Sequence, residues 1–370
     1  MPNDPNPRAD ALRRFAADAL AARPRPPGLD RAAFFAAAQA GVFKDLAPGA
    51  GATATAATLA ALGEGGAERG LLFAIGAHLF GGLVPLLRYG TPAQRARWEP
   101  GMRDGSLVAA LAVTEPDGGS SFNDLTTMAV SDGDSFRLDG RKRLITNAPD
   151  ADLFVVLARQ FPERGPMGLT MFLVSRNTPS IAVQSLATGG LAGAPMGEVT
   201  FADCRPGPDA VLGQPGAGLK VFVSAMVWER SLLLAGFLGA AEYDLRATVK
   251  ALSTRANGAA LKHQAVTHRI ARMRLRLAAA RLLIDQSAQS LDAGREDTTL
   301  AAMAKLAASE AARDCAADIA HLLAGSGWTG TPFDAAAVMA DVQGGLFASG
   351  TSEIQLDIIA RQVIAAARRP

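Results

Sequence analysis

Glu229 and its neighbour Arg230 are the only charged residues between positions 221 and 241 (VFVSAMVWERSLLLAGFLGAA). A carboxyl group in so apolar a run is expected to be partly buried once the segment packs. Burial disfavours the charged form and moves a carboxylate toward the pKa of a useful general base. The plainer alternative is an ordinary Glu-Arg pair on a helix surface. If Glu229 is a base, Arg230 suits bracing the site or a neighbouring loop better than binding substrate. Three other stretches, 111–121 (LAVTEPDGGSS), 143–147 (RLITN) and 349–355 (SGTSEIQ), are rich in hydroxyls and in main-chain freedom. Taken singly, each reads as a turn, because Pro fixes φ, Gly permits positive φ and a Ser or Thr hydroxyl caps nearby main chain.

The glycine-rich GQPGAG at 213–218 lacks the G-x-G-x-x-G spacing and the strand-helix-strand setting of a dinucleotide fingerprint, and reads as a hinge. Two distant cysteines, Cys204 and Cys315, and four scattered histidines do not make a zinc constellation, so no metal is expected. Free thiols fit a reducing cytoplasm.

The elements that must position these residues follow from periodicity. The first 105 residues are alanine-rich with helix-spaced apolar positions, punctuated by ARPRPPG at 22–28 and by Gly/Ala turns near 49–51. From 106 to 213 the pattern shifts to short β-type runs (DSFRLDG, LFVVLAR, LTMFLVS, IAVQSL, GEVTF) separated by Gly, Pro, Asp or Asn. From 214 to 370 helical periodicity returns in four long runs, the pattern of a bundle. The expected fold is α+β and multidomain: a helical domain (1–105), a central β-barrel or sandwich (106–213) and a C-terminal four-helix bundle (214–370).

At 370 residues the chain can bury a large core across two or three lobes. Its 37 basic and 35 acidic residues leave a formal charge of +2 and no basic run long enough to track a phosphate backbone, so nucleic-acid binding is disfavoured. The first 20 residues carry acidic residues and prolines where a secretion signal needs an apolar core. Residues 70–87 are uncharged for 18 positions, but His78, Pro85 and four glycines favour a buried helix over a membrane span.

In their order, the three hydroxyl-rich segments resemble the flavin-binding signature of the acyl-CoA dehydrogenase family. The flanks, LRYGTPAQRARWEPGMRDGS (87–106) and FADCRPGPDAVLGQPGAGLKVF (201–222), resemble the family's entry to and exit from its β-domain. The resemblance covers most of the chain and is weakest before about residue 60. It implies FAD as cofactor. Thr114 and Ser120 match hydroxyls that bond the flavin ring and its phosphate chain, Val113 and Gly119 match main-chain contacts, and Thr146 matches the threonine beside flavin N5. Such fixed donors suit a ring that gains charge near N1 and N5 on reduction. Leu144 stands where the family usually has tryptophan, which implies a smaller apolar contact and a roomier flavin edge.

Thr351 and Glu353 match contacts to the adenine half. Arg255, once a short gap is allowed, stands for an arginine that reaches FAD in a neighbouring subunit. His321 replaces a usual glutamine at a similar contact. A homodimer or homotetramer is therefore implied. Many family members carry the catalytic glutamate where this chain has Ser349. A second arrangement places it directly before an arginine on the first bundle helix, which here is Glu229, with Arg230 and Ser349 as supporting residues.

Within the family the chain resembles dehydrogenases of polyketide and nonribosomal-peptide pathways that act on acyl groups tethered to an acyl carrier protein, on the segments GAPMGEVTFADC, VWERSLLLAGFLGAAE and HQAVTHRIARMRLRLAAARLL. A carrier protein is acidic, and Arg272, Arg274 and Arg276 are candidates for a positive patch that would steer it. An acyl-CoA substrate, a flavin monooxygenase of the same fold and a non-catalytic paralogue are the alternatives.

Overall fold

The computed structural model describes residues 7–21, 27–47, 50–118, 122–133 and 135–368. Part of the Pro-rich stretch after Ala21, part of the turn near Gly49, and the expected flavin contacts Gly119 and Ser120 lie outside the described residues.

Helices come first, at Pro7–Phe15, Arg31–Gln39, Ala52–Glu64, Arg69–His78, Val84–Tyr89 and Pro92–Asp104. Side-chain caps start several of them: Asp30 accepts from the Ala33 amide, Glu68 from the Leu71 amide, and Thr91 and Gln94 form a reciprocal capping box. The uncharged segment forms one continuous helical run. Arg69–His78 passes through a π-helical stretch, Leu79–Leu83, into Val84–Tyr89. By length and composition that run could cross a membrane, but 94% of its apolar window is packed inside the protein, as is 78% of a second such window within 218–262.

Eight strands follow among the described residues: β1 (Ala109–Ala112), β2 (Met128–Asp132), β3 (Ser135–Thr146), β4 (Leu153–Arg159), β5 (Leu169–Ser175), β6 (Ile181–Leu186), β7 (Met196–Cys204) and β8 (Val211–Leu212). Their order is β6-β7-β3-β2-β4-β5-β8. One edge of β4 pairs antiparallel with β5. Its other edge is shared, with β1 running parallel along Leu153–Val156 and β2 joining at Arg159. This central position explains the unbroken apolar run LFVVLAR, every residue of which is buried. Its side chains alternate between two cores. Leu153, Val155 and Leu157 face the large helical core, while Phe154, Val156 and Ala158 pack with Phe172, Val199 and Phe201 inside the β-domain.

The C-terminal helices are Gly218–Leu232, Ala235–Thr254, Gln264–Asp292, Thr298–Leu323, Gly325–Trp328, Ala335–Phe347 and Ser352–Ala367. The first expected run is broken at Leu233 and Leu234, and Ala335–Phe347 is a further helix that lies outside the four expected runs. A cause of the break lies one turn earlier. The Ser231 hydroxyl donates to its own helix's Val227 carbonyl at 2.6 Å and pairs with Ser287 Oγ at 2.8 Å, and such back-bonding bends helices.

The buried run at 69–89 is the strut between the β-domain and the first C-terminal helix. A Cβ on Gly81 would lie 2.8 Å from the Leu111 Cβ, and one on Gly82 would lie 2.4 Å from the Ala109 Cβ, so only glycine lets this helix rest on β1. The π-helical turn falls on these same residues. His78 completes the joint: its Nδ1 accepts from the Ala109 amide (3.1 Å), which fixes the tautomer whose Nε2–H donates to the Met102 carbonyl (3.0 Å). Complete burial pulls this histidine down to about 4, so it is neutral.

Candidate active site

Glu229 and Ser349, 120 residues apart, meet directly. The Ser349 hydroxyl donates to Glu229 Oε1 at 2.5 Å. Arg230 turns the other way and donates from Nε to the Ser349 carbonyl at 2.9 Å. Glu229 keeps some of its surface open while its carboxyl group lies deep among protein atoms. That burial pushes its pKa above the ordinary carboxylate range, and the Ser349 hydrogen bond and the Arg230 charge pull against it. The raised pKa strengthens the group as a proton acceptor, which suits a general base. Arg230 is itself lowered by burial, with Glu229 opposing.

The turn that presents Ser349 is held by residues with no place in the sequence reading. Gln355, fully buried, donates from Nε2 to the Gly350 carbonyl (2.9 Å) and the Ser349 carbonyl (3.2 Å). Lys305, only 2% exposed, donates to the Leu346 carbonyl at 2.8 Å. Burial and the Arg230 charge lower Lys305 to about 8, against the pull of Glu310 and Glu353.

On the sheet, Val113 and Thr114 follow directly after β1 and are partly buried. Their carbonyls are tied to β3: Lys142 Nζ donates to Val113 O (3.0 Å), and the Arg143 amide donates to Thr114 O (2.8 Å). Lys142, with no side-chain exposure, also donates to Glu115 Oε1 at 2.8 Å. The Glu115 carboxylate in turn accepts from the Thr126 amide and hydroxyl and from the Thr127 amide. Arg159 gathers the carbonyls of Phe122, Asn123, Leu125 and Gly165. Both ends of the loop that carries Gly119 and Ser120 are thus stapled. Burial pushes Glu115 up, but Lys142 and the two threonines outweigh it and hold the carboxyl at about 2. Burial pulls Lys142 down to about 8 against the pull of Glu115, so the pair is ionised at neutral pH.

Between Lys142 and Ile145 the register of β3 against β7 slips, and at this bulge Leu144 sits at φ 59° with 57% of its surface exposed. The hydroxyls of Thr114 and Thr146 have no partner among the described residues. An exposed apolar side chain beside unengaged hydroxyls is the lining that a flat aromatic ring with a polar rim requires, and the site fits a flavin.

The remaining expected contacts are dispersed. Thr351 caps the helix Ser352–Ala367, accepting loosely from the Ile354 amide at 3.5 Å, and Glu353 is exposed in its first turn. Arg255 and His321 are exposed, and their side chains have no partner among the described residues. Arg274 pairs with Glu242, and Arg276 pairs with Asp318, so two of the three candidate arginines for a steering patch are already engaged. GQPGAG joins β8 to the helix Gly218–Leu232. Gly213 and Gly216 have positive φ, and the Gly216 amide donates to Thr170 Oγ1 at 2.8 Å, an arrangement that makes a turn.

Two domain descriptions match: "Acyl-CoA dehydrogenase, middle domain" over residues 110–204 and "Acyl-CoA dehydrogenase, C-terminal domain" over 216–364. The L-prolyl-[peptidyl-carrier protein] dehydrogenase of Pseudomonas fluorescens is 38% identical over 319 residues, covering 85% of this chain and 84% of that protein. The human mitochondrial short-chain specific acyl-CoA dehydrogenase is 33% identical over 306 residues, covering 82% and 74%. Among solved structures, the prolyl acyl carrier protein oxidase AnaB superposes with a TM-score of 0.92 at 28% identity, covering 98% of this chain and all of that one (100%). PigA with FAD and proline superposes at 0.91 and 30% identity, covering 98% and 99%. The chain belongs to the acyl-CoA dehydrogenase family.

Proposed function

We propose that this protein is an FAD-dependent acyl-thioester dehydrogenase of secondary metabolism whose substrate is an acyl group tethered to a carrier protein, with a prolyl group the first to test. The observation that carries the reading is the partly desolvated Glu229 carboxylate, presented beside Ser349 at the position where many relatives carry their own glutamate. When bound, FAD supplies the hydride acceptor. Glu229 takes the proton from the carbon next to the thioester carbonyl, and the substrate leaves with two hydrogens fewer and one new double bond. Arg230 balances the charge of the ionised base and braces the turn at Ser349. Val113, Thr114 and Thr146 offer carbonyls and hydroxyls to the flavin. Leu144 gives it an apolar ledge smaller than an aromatic ring would.

The functional unit is proposed to be a homodimer or larger. The side chains of Arg255 and His321 have no hydrogen-bond partner among the described residues, and Leu275 and Leu282 are 69% and 70% exposed, one heptad apart on the helix Gln264–Asp292. A cytoplasmic location is supported by two free, buried cysteines. The test is anaerobic: flavin-loaded protein receives carrier-protein and CoA thioesters in parallel, with flavin absorbance and acyl mass followed. Bleaching with loss of two hydrogens on the carrier-protein thioester supports the reading. Bleaching with the CoA thioester alone would reassign the substrate, and an oxygenated product in air without anaerobic bleaching would favour a monooxygenase.

A further inference from the structure

We infer that Ser349 is the positioning residue of the proton-accepting carboxylate: its hydroxyl holds Glu229 Oε1 and leaves Oε2 as the atom that takes the substrate proton. The inference rests on Glu229 being the base and adds how one of its two oxygens is chosen.

The geometry around the turn is over-determined. Ala348 is extended, Ser349 is left-handed at φ 59°, Gly350 is at φ 96°, and Thr351 caps the next helix. A left-handed residue other than glycine persists where its surroundings impose it. Here three buried or part-buried donors do so: Arg230 Nε and Gln355 Nε2 on the Ser349 carbonyl, Gln355 Nε2 again on the Gly350 carbonyl, and Lys305 Nζ on the Leu346 carbonyl. They come from three different helices, Gly218–Leu232, Ser352–Ala367 and Thr298–Leu323. With its carbonyl fixed, the serine directs its hydroxyl to Glu229 Oε1 at 2.5 Å.

This is the only hydrogen bond to the Glu229 side chain among the described residues. A buried carboxylate with no donor keeps its proton to higher pH. One that accepts several donors would lose its basicity. A single hydroxyl gives the intermediate case and breaks the symmetry between the two oxygens. The charged groups around the pair are Arg230 on the same helix and Lys305 on the helix Thr298–Leu323, with Glu310 and Glu353 acting on Lys305. None of these donates to Glu229, so its one fixed hydrogen bond comes from Ser349.

The experiment is the pH profile of single-turnover flavin bleaching by a thioester substrate, in flavin-loaded wild type, Ser349→Ala, Ser349→Thr and Glu229→Gln. Because the hydroxyl favours the ionised carboxylate, removing it moves the acid limb of Ser349→Ala upward by about one pH unit, which is about a tenfold loss of rate at pH values below both limbs. The high-pH plateau stays within about threefold of wild type. Ser349→Thr keeps the hydroxyl and restores the limb, at a cost in stability from a branched Cβ at φ 59°. Ser349→Gly, which suits φ 59°, serves as a second deletion should alanine not fold there. An unmoved limb in both deletion variants, alongside an inactive Glu229→Gln, overturns the role of Ser349 and leaves the base in place. An active Glu229→Gln overturns the base assignment itself.

Discussion

Replacing Glu115 by glutamine keeps the shape of a side chain buried on all sides and removes the charge that Lys142 faces at 2.8 Å. In the variant the Lys142 ammonium keeps only the Val113 carbonyl as an acceptor. Shedding its proton at pH 7 costs about 5 kcal/mol relative to a free lysine. The native site already carries about 3.5 kcal/mol of this, since burial holds Lys142 at about 8 from an ordinary 10.5. The lysine thus adds about 1.5 kcal/mol, and weakened hydrogen bonds to Thr126 and Thr127 add about as much again. The expected loss of about 3 kcal/mol lies at the lower end for a broken buried pair. Spread over a chain of 370 residues, it lowers the midpoint of cooperative unfolding by about 4 °C.

The sign of the pH dependence is distinctive. Native Lys142 stays charged up to about 8, whereas the unpaired lysine is neutral at 7, so its penalty falls as pH rises. The stability deficit of Glu115→Gln should therefore shrink between pH 7 and 8 by about 1 kcal/mol. Thermal unfolding of flavin-free protein across this range is the assay, with flavin retention on a desalting column as the functional readout, because the pair holds Val113 and the ends of the cofactor loop. A midpoint change below about 1 °C, or a deficit that grows over that interval, would refute the reasoning.

Three further outcomes are expected. His78 is held at about 4 against an ordinary 6.5, so its contribution is fully present above 6.5 and is lost as pH falls toward 4; this amounts to about 3 kcal/mol, and His78→Gln should flatten that part of the pH-stability curve measured by denaturant unfolding. Glu115, depressed to about 2 from 4.5, adds a second loss as pH falls from 4.5 toward 2, which should persist in the His78 variant and vanish in Glu115→Gln. Leu144→Trp should leave the unfolding midpoint unchanged, since the side chain is 57% exposed, and should tighten FAD two- to tenfold (about 0.5–1.5 kcal/mol of aromatic contact), read by quenching of flavin fluorescence.

The sequence reveals the fold where local pattern decides it. Short apolar runs between turn residues become β4, β5, β6 and β7, and uncharged residues 70–87 become a buried helix. Other features depend on tertiary context. The strand read as DSFRLDG continues to Thr146, because a bulge lets β3 stay paired with β7 past Lys142. The break at Leu233 and Leu234 follows from Ser231 back-bonding, which a hydrophobic pattern does not register. The small-residue run AAAVMADVQGGLF has little apolar contrast between its faces, so its helix carries a weak periodic signal. At the site, the burial of Glu229 was legible from its apolar neighbours, whereas its pairing with Ser349 joins residues 120 apart. Lys142 had a usable signal: it lies two and four residues from Gly140 and Leu138, on the inward parity of β3. Lys305 and Gln355 serve main-chain carbonyls in a turn and carry no local signature.

The measurement that bears most directly on the central claim is stopped-flow reduction of FAD by a prolyl or acyl carrier-protein thioester, in wild type and Glu229→Gln, without oxygen. The variant is expected to bind FAD as wild type does and to bleach at least about a hundredfold more slowly, with the wild-type product two hydrogens lighter. Wild-type bleaching in Glu229→Gln would contradict it.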